Sequence, residues 1–478
     1  MTSADLLALL PIAILAVTPV AVMLAIAAIR SHAVSAGLAV AGLLAALAGL
    51  SAAAGQVPRD VTILFHVDAF GLGYVALSMM IAACVVVLGY EYVGHRESHP
   101  EEYYVLLLIA TAGACAMALS THFVSFYLGL EILSVAQYGL MAYFRRDRRG
   151  TEAGLKYLVL AAASAAFLLF GMALVYAELG TMTFAGMVAA TPEQMHNSVV
   201  LLGVAMMCAS IGFKLSIVPF HYWTPDIYDG APASVVAFTS TVGKIGVFAV
   251  LVRYFLVPIG PVSEALVPFV GATAVASMVV GNLLALVQTN IKRLMAYSSI
   301  AHMGYLSVAF LTNGEGAART VTFYLVGYAI ASVAVLGVIM LASVGSGRTG
   351  DLDRIDHYRG LLRANPLLGS VLVLGLLSLA GIPLTAGFLG KVYVVLTGAE
   401  GGHWFVLVVL ALSSVAGAWY YLRVVVAVCS SGDTEPLPIR MRAAGVAPTL
   451  VLLVLAFLIV VLGVYPSPVL AVIDALHR

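Results

Sequence analysis

Residues 212–225 read Gly-Phe-Lys-Leu-Ser-Ile-Val-Pro-Phe-His-Tyr-Trp-Thr-Pro, and they lie inside an apolar run that extends from 197 to 230. That run is about 34 residues long, whereas ~20 residues suffice to cross a bilayer as a helix. Pro219 and Pro225 interrupt it. Proline removes a backbone donor and clashes with the preceding turn, so two half-helices joined by an unwound stretch are expected. Lys214 stands just before the joint, where a charge is costly unless it meets a partner or water. A second over-long run, 366–399, is broken at Gly381-Ile382-Pro383 and at Gly387, with Lys391 just beyond the break.

Composition extends this reading to the whole chain. Of 478 residues, 62% are hydrophobic and 10% charged, against about 45–50% and about 25% in soluble domains. So few charges cannot cover a water-facing surface, and an all-α polytopic membrane protein in a lipid bilayer is expected. Lys+Arg and Asp+Glu are both 23, so no charge excess points to nucleic acid. Apolar runs long enough to span occur at 5–29, 34–54, 70–90, 103–120, 122–143, 153–177, 197–230, 233–258, 262–287, 293–312, 319–344, 366–399, 403–428 and 446–466, about fourteen transmembrane helices. The first run opens with Asp5 and no basic residue, so it is read as a span and not a cleaved leader.

Loop charges set the orientation. One set of alternate loops holds Arg30, Arg96, Arg145, Arg146, Arg148, Arg149, Lys292, Arg293, Arg348, Arg354, Arg359, Arg363, Arg440 and Arg442; the other holds Arg59, Arg253, Arg319 and Arg478. The richer set belongs in the cytoplasm, which places both termini on the outer face of the membrane. The two broken runs are the seventh and twelfth spans and cross in opposite senses. Paired breaks of this kind point to an inverted repeat. The expected organisation is three N-terminal helices (1–100), a first five-helix unit of spans four to eight (101–258), a second inverted unit of spans nine to thirteen (259–430), and a final helix (431–478).

The charges left inside are few. Glu131 is the one carboxylate near mid-membrane, in span five, and Lys214, Lys244 and Lys391 are the deep lysines. Lys244 lies about 16 Å from either face at 1.5 Å per residue, beyond a lysine's reach to the interface. Lys156 is near the start of span six, where snorkelling and a relay role both fit. One deep carboxylate cannot statically pair three ammoniums. An ion pair of Glu131 with Lys214, made and broken, makes the lysines a water-linked proton path toward Lys244 and Lys391. His302 in span ten is placed to relay between Lys244 and Lys391, and His221 at the first joint to serve the cytoplasmic side. For either histidine the alternative is a satisfied structural donor.

Negative signals narrow the chemistry. Cys84, Cys115, Cys208 and Cys429 are widely spaced in apolar runs and read as small buried hydrophobes. Neither Lys244 nor Lys391 is followed by Ser or Thr, so neither belongs to a phosphate loop. No metal or cofactor site is expected in this chain.

Four stretches, LGLEILSVAQYGL (128–140), GFKLSIVPFHYWTPDIYDGAP (212–232), NIKRLMAYSSIAHMGY (290–305) and SLAGIPLTAGFLGK (378–391), resemble the antiporter-like membrane subunits of respiratory complex I, the proton-translocating NADH–quinone oxidoreductase. The resemblance covers nearly the whole chain. It implies proton-relay roles for Glu131, Lys214, Lys244 and Lys391, a further family lysine at Lys156, and translocation without a redox centre in this chain. It also implies FMN, iron–sulfur clusters and quinone on other subunits. A sister antiporter-like subunit is expected on one side, and small subunits linking to the quinone-reducing arm on the other. Two alternatives share the fold: a subunit of a multisubunit sodium/proton antiporter, and one of a membrane-bound hydrogenase-type complex. A sodium site needs clustered oxygen ligands, which Glu131 and scattered hydroxyls supply poorly. Only about a dozen residues follow Tyr465, so no long lateral helix is expected.

Overall fold

The computed structural model describes residues 2–256, 261–312, 314–347, 350–430 and 445–477. Arg348, Arg440, Arg442 and Arg478 of the charge tally, and the expected domain boundaries at 258/259 and 430/431, fall at or beyond the edges of these segments.

Helices dominate, as they must where lipid offers the backbone no hydrogen bonds. The N-terminal part comprises α1 (Leu10–Ala28), α2 (His32–Ala54) and α3 (Ala69–Arg96). Then come α4 (Glu101–Ala118), α5 (Phe123–Met141), α6 (Arg148–Leu179), α7 (Ser198–Leu215), α8 (Trp223–Gly230), α9 (Ala233–Ser240) and α10 (Val242–Leu251). A second series holds α11 (Pro261–Leu286), α12 (Ile291–Ala309), α13 (Glu315–Gly345), α14 (Pro366–Ala380), α15 (Ala386–Glu400) and α16 (Trp404–Cys429). α17 (Val446–Val464) and the short α18 (Ser467–Leu476) follow. Among the described residues, 12 helical stretches are long and apolar enough to cross a membrane. The other two expected runs correspond to α12, whose polar residues lower its hydropathy, and to the α14–α15 pair, each member of which has only 15 residues.

Both over-long runs are interrupted where proline and glycine stand. α7 ends at Ser216 in the left-handed conformation (φ 65°), and α14 ends at Gly381 (φ 81°), with Leu384 also left-handed (φ 71°). Gly381 fits without penalty; Ser216 and Leu384 carry a Cβ into a region that costs roughly 1–2 kcal/mol. A third interruption was not anticipated. The span expected over 233–258 divides at Thr241, whose hydroxyl donates to the carbonyl of Ala237 at 2.6 Å, and it finishes in a π-helical turn, Val252–Leu256. Thr239-Ser240-Thr241 is the local cause, since such side chains compete for helix carbonyls.

Two short strands, Arg59–Val61 and Phe65–Val67, pair antiparallel between α2 and α3, with Asp60 opposite His66. This hairpin also bridges to Ser120, tying down the tight α4–α5 turn. Asp68 caps α3 through Gly71 N at 2.8 Å and holds Arg253 at 2.6 Å. Burial acts to raise the Asp68 carboxyl, but the bonded Arg253 guanidinium outweighs it and holds it below the usual range.

The interior is built around α9–α10 and α13, which are almost wholly surrounded by protein. α13 packs against α3, α9, α14, α15 and α17. α1, α6, α16 and α17 leave much of their apolar surface exposed, as a lipid boundary requires. α18 closes over α13 through Leu470 and Ile473, which pack on Phe323, and through an Asp474–Arg319 ion pair at 3.1 Å.

Candidate functional site: a buried line of lysines

Lys214 occupies the last turn of α7, where the helix dipole favours a cation. Its ammonium donates to Ser134 Oγ at 3.0 Å, Gln137 Oε1 at 3.0 Å and Tyr157 Oη at 2.8 Å. A lysine has three donors, so the three uncharged partners use all of them. The Glu131–Lys214 pair, expected to be made and broken, is therefore open here. Glu131 lies on a stripe of α5 with exposed Leu128 and Val135, and its Oε1 has no hydrogen-bond partner. It remains within electrostatic reach of Lys214, so the two are neighbours across a gap and not a closed pair.

Gln137 connects the two halves of this region. Its Oε1 accepts from Lys214 while its Nε2 donates to Thr239 Oγ1 at 3.2 Å, on α9 just before the Thr241 interruption. Lys244 follows within a turn and is 0% exposed, which removes any route to the interface. Its ammonium donates to Ser299 Oγ at 2.6 Å, and Ser299 pairs with Tyr328 Oη at 2.8 Å.

One turn along α12, His302 presents Nδ1 to Tyr324 Oη at 2.7 Å and Nε2 to Tyr421 Oη at 3.2 Å; Tyr421 pairs in turn with Ser298. A neutral imidazole has one donor and one acceptor nitrogen, so it joins two hydroxyls on opposite sides. Lys391 lies in the first turns of α15, across the second break. Its ammonium donates to the carbonyl of Ala380 at 2.8 Å and faces the Tyr305 ring at 5.0 Å. That carbonyl belongs to the last turn of α14, where helix oxygens lack intrahelical partners; the break creates the acceptor.

The three deep lysines and His302 expected from the sequence are all buried, but the sequence reading missed their partners Ser134, Gln137, Tyr157, Ser299, Tyr324, Tyr328 and Tyr421. Ser298-Ser299 and the repeated tyrosines at i, i+4 in α13 (Tyr324, Tyr328) were the available signal. Lys156 is elsewhere. It is half-exposed, 2.7 Å from Glu152 and 3.6 Å from Asp226, because the next residue, Tyr157, takes the inward position on α6. His221 is buried at the first joint, stacked on exposed Tyr222, with Nδ1 unbonded and no hydrogen bond to the lysine line. No group of three or more His, Cys, Asp or Glu among the described residues could hold a metal ion.

Comparison with known proteins agrees with this architecture. The family model described as NADH:quinone oxidoreductase/Mrp antiporter, TM, matches residues 120–417. The chain is 44% identical over 483 residues to NADH-quinone oxidoreductase subunit N of Ectopseudomonas mendocina (strain ymp), covering 99% of this chain and 96% of that relative. Its fold matches a chain of respiratory complex I from Thermus thermophilus with TM-score 0.81 and 32% identity, over 96% of this chain and 98% of that one. A chain of the archaeal membrane-bound sulfane sulfur reductase matches with TM-score 0.82 and 26% identity, over 98% and 96% of the two chains. The Mrp complex from Dietzia sp. DQ12-45-1b matches in fold, with TM-score 0.86 at 19% identity, over 100% and 97%.

Proposed function

This chain belongs to the NADH:quinone oxidoreductase/Mrp antiporter family of membrane subunits, and from that premise we propose that it is a proton-translocating membrane-arm subunit of an NADH–quinone oxidoreductase. The observation that carries the reading is the set of three lysines at 5%, 0% and 9% exposure, lying between two helix breaks with hydroxyls, an amide and an imidazole among them. Ammonium groups held by neutral partners can exchange protons with those partners' neighbours.

In this reading Lys214 is the charge nearest Glu131, and a change in the field at Glu131 alters how firmly Lys214 keeps its proton. Gln137 and Thr239 lead from Lys214 toward Lys244. Ser299, Tyr328, Tyr324 and His302 lead toward Lys391 at the second break. His221 stands near the first joint as an auxiliary group, and Lys156 is an ion-paired surface residue outside the route. FMN, iron–sulfur clusters and quinone belong to other subunits, and this chain supplies translocation without a redox centre of its own. Its partners are a sister antiporter-like subunit and the small subunits toward the quinone-reducing arm. The assembly resides in a bacterial inner membrane with both termini of this chain outside. The 44% identity to a complex I subunit supports this assembly over a sodium/proton antiporter, with whose Mrp complex the solved-structure match is 19% identical.

The test is Lys244→Ala in membrane vesicles, with NADH-driven proton uptake and NADH–quinone electron transfer read in the same preparation. Loss of pumping with the complex assembled is expected. Native rates of both would remove Lys244 as an obligatory relay.

A further inference from the structure

A polar cavity of about 680 Å³ opens at the arginine-rich end of the molecule, walled in part by Arg146, Arg148, Asp229, Lys292 and Asp351. Part of its wall is a buried charge cluster that the lysine line does not include. Lys292 Nζ donates to Asp351 Oδ2 at 2.6 Å and to the carbonyl of Ala231 at 2.9 Å. Arg96 Nη2 lies 2.8 Å from Asp351 Oδ1. Tyr92 Oη donates to that same oxygen at 2.6 Å and accepts from Ala233 N at 2.9 Å. The Lys292 and Asp351 side chains are only 4% and 6% exposed. From the sequence Lys292 was an ordinary loop charge; in the fold it is a fourth buried lysine, and the one with a carboxylate in contact.

Helix α12 aligns this cluster with the relay. Ser299 follows Lys292 by seven residues, two turns at 3.6 residues each, so both stand on one face about 10 Å apart. Met295 and Ala296 lie between them on that face and are buried. Ser299 is the hydrogen-bond partner of Lys244. One end of this stripe therefore meets solvent in the cavity, and the other meets the central lysine.

We infer that Lys292, with Asp351 as its counter-charge, is the residue through which Lys244 is loaded with protons from this cavity. The inference rests on the reading of Lys244 as a relay. In the step, a protonated Lys292 passes one proton along the α12 face to a neutral Lys244 amine and is itself left neutral. The carbonyl of Ala231, Asp351 and Tyr92 keep the side chain in place, and cavity water restores the lost proton. One proton enters for each one delivered, and no other reactant is needed. Met295 and Ala296 form an apolar constriction between the two amines, so transfer requires water to enter that stretch, and a closed constriction prevents back-flow.

Lys292→Arg is the discriminating variant. Arginine preserves the charge and the bond to Asp351 but does not give up its proton. If Lys292 loads Lys244, the arginine variant assembles normally while proton pumping and coupled electron transfer fall at least tenfold. If the cluster is only a strut, the arginine variant pumps at the native rate and the inference is overturned. Should arginine prevent assembly, the double variant Lys292→Ala with Asp351→Ala, which leaves no unpaired member of the lysine–aspartate pair, decides: native pumping overturns the inference, and an assembled complex that no longer pumps supports it. Lys244→Ala is measured alongside. If that variant also pumps normally, the relay reading itself has failed; if it is inactive while Lys292→Arg is native, only the loading role is lost.

Discussion

Ser299→Ala is the sharpest perturbation of the central link, because it removes the one hydrogen-bond partner described for Lys244 and, with it, the connection to Tyr328. A hydrogen bond to a charged group contributes about 1.5–3 kcal/mol, and about 1.4 kcal/mol corresponds to a factor of ten. Loss of the 2.6 Å contact therefore disfavours the protonated lysine by about ten- to a hundredfold relative to its neutral form. If protonation of Lys244 is a required step, NADH–quinone turnover coupled to pumping falls by a comparable factor. The substitution removes one oxygen from a buried helix face, so assembly on a native gel is expected to be unchanged. Ser299→Thr, which restores a hydroxyl, is expected to recover most of the rate. The assay pairs fluorescent-dye quenching by NADH-energised vesicles with the electron-transfer rate in the same vesicles. Native rates and full quenching in the assembled alanine variant would refute the claim that the serine sustains the proton step.

Other expectations follow from particular contacts. Lys156→Met should leave pumping within about twofold, since exposed ion pairs are worth ~0–1 kcal/mol; a severe loss, in assembled complex, would return Lys156 to the route. Asp351→Asn leaves Lys292 and Arg96 without their carboxylate and should cost about 3–5 kcal/mol, read as a lower midpoint in thermal unfolding of the detergent-solubilised complex. Burial acts to raise the Asp351 carboxyl, but Lys292 and then Arg96 outweigh it and hold it below the usual range. A depressed carboxyl stabilises the fold above its unfolded value and loses that contribution as pH falls through the folded value. Acid titration should therefore leave this contribution intact until below about pH 4, and the native protein's margin over Asp351→Asn should be flat from neutrality to that point. Gly381→Ala places a Cβ at φ 81°, 2.8 Å from Lys391 Cδ, and should reduce pumping by displacing that ammonium from Ala380. The check is vesicle pumping normalised to assembled complex.

Much of this architecture is legible in the sequence because lipid punishes ambiguity. Apolar runs, prolines in two over-long spans and lysines remote from any loop each have few physical explanations. The glycine and proline near 381–383 announce the second break, and Lys391 beside it announces the site. What the chain does not disclose is which neutral side chains converge from distant helices. Gln137 reaches Lys214 from 77 positions away and Tyr421 reaches His302 from 119, and nothing in their local sequence distinguishes them from packing residues. Lys292 shows the same limit from the other side. It follows a loop and looks solvated, yet the segment after α13 folds over it and supplies Asp351. Glu131 and Lys214 stand apart here for a countable reason, since three uncharged acceptors take the ammonium's hydrogens.

The position of α13 has a consequence for how the protein is made. This helix lies at the centre and touches α3, which is synthesised long before it, and α14, α15 and α17, which are synthesised after it. This early helix therefore cannot finish packing until late ones arrive, and α3 must wait in the membrane with its inner face provisionally covered. α18 completes the enclosure last, bringing Asp474 onto Arg319. Premature termination anywhere before α17 leaves α13 without part of its surround, so truncated chains should be substrates for membrane quality control and not partly active pumps.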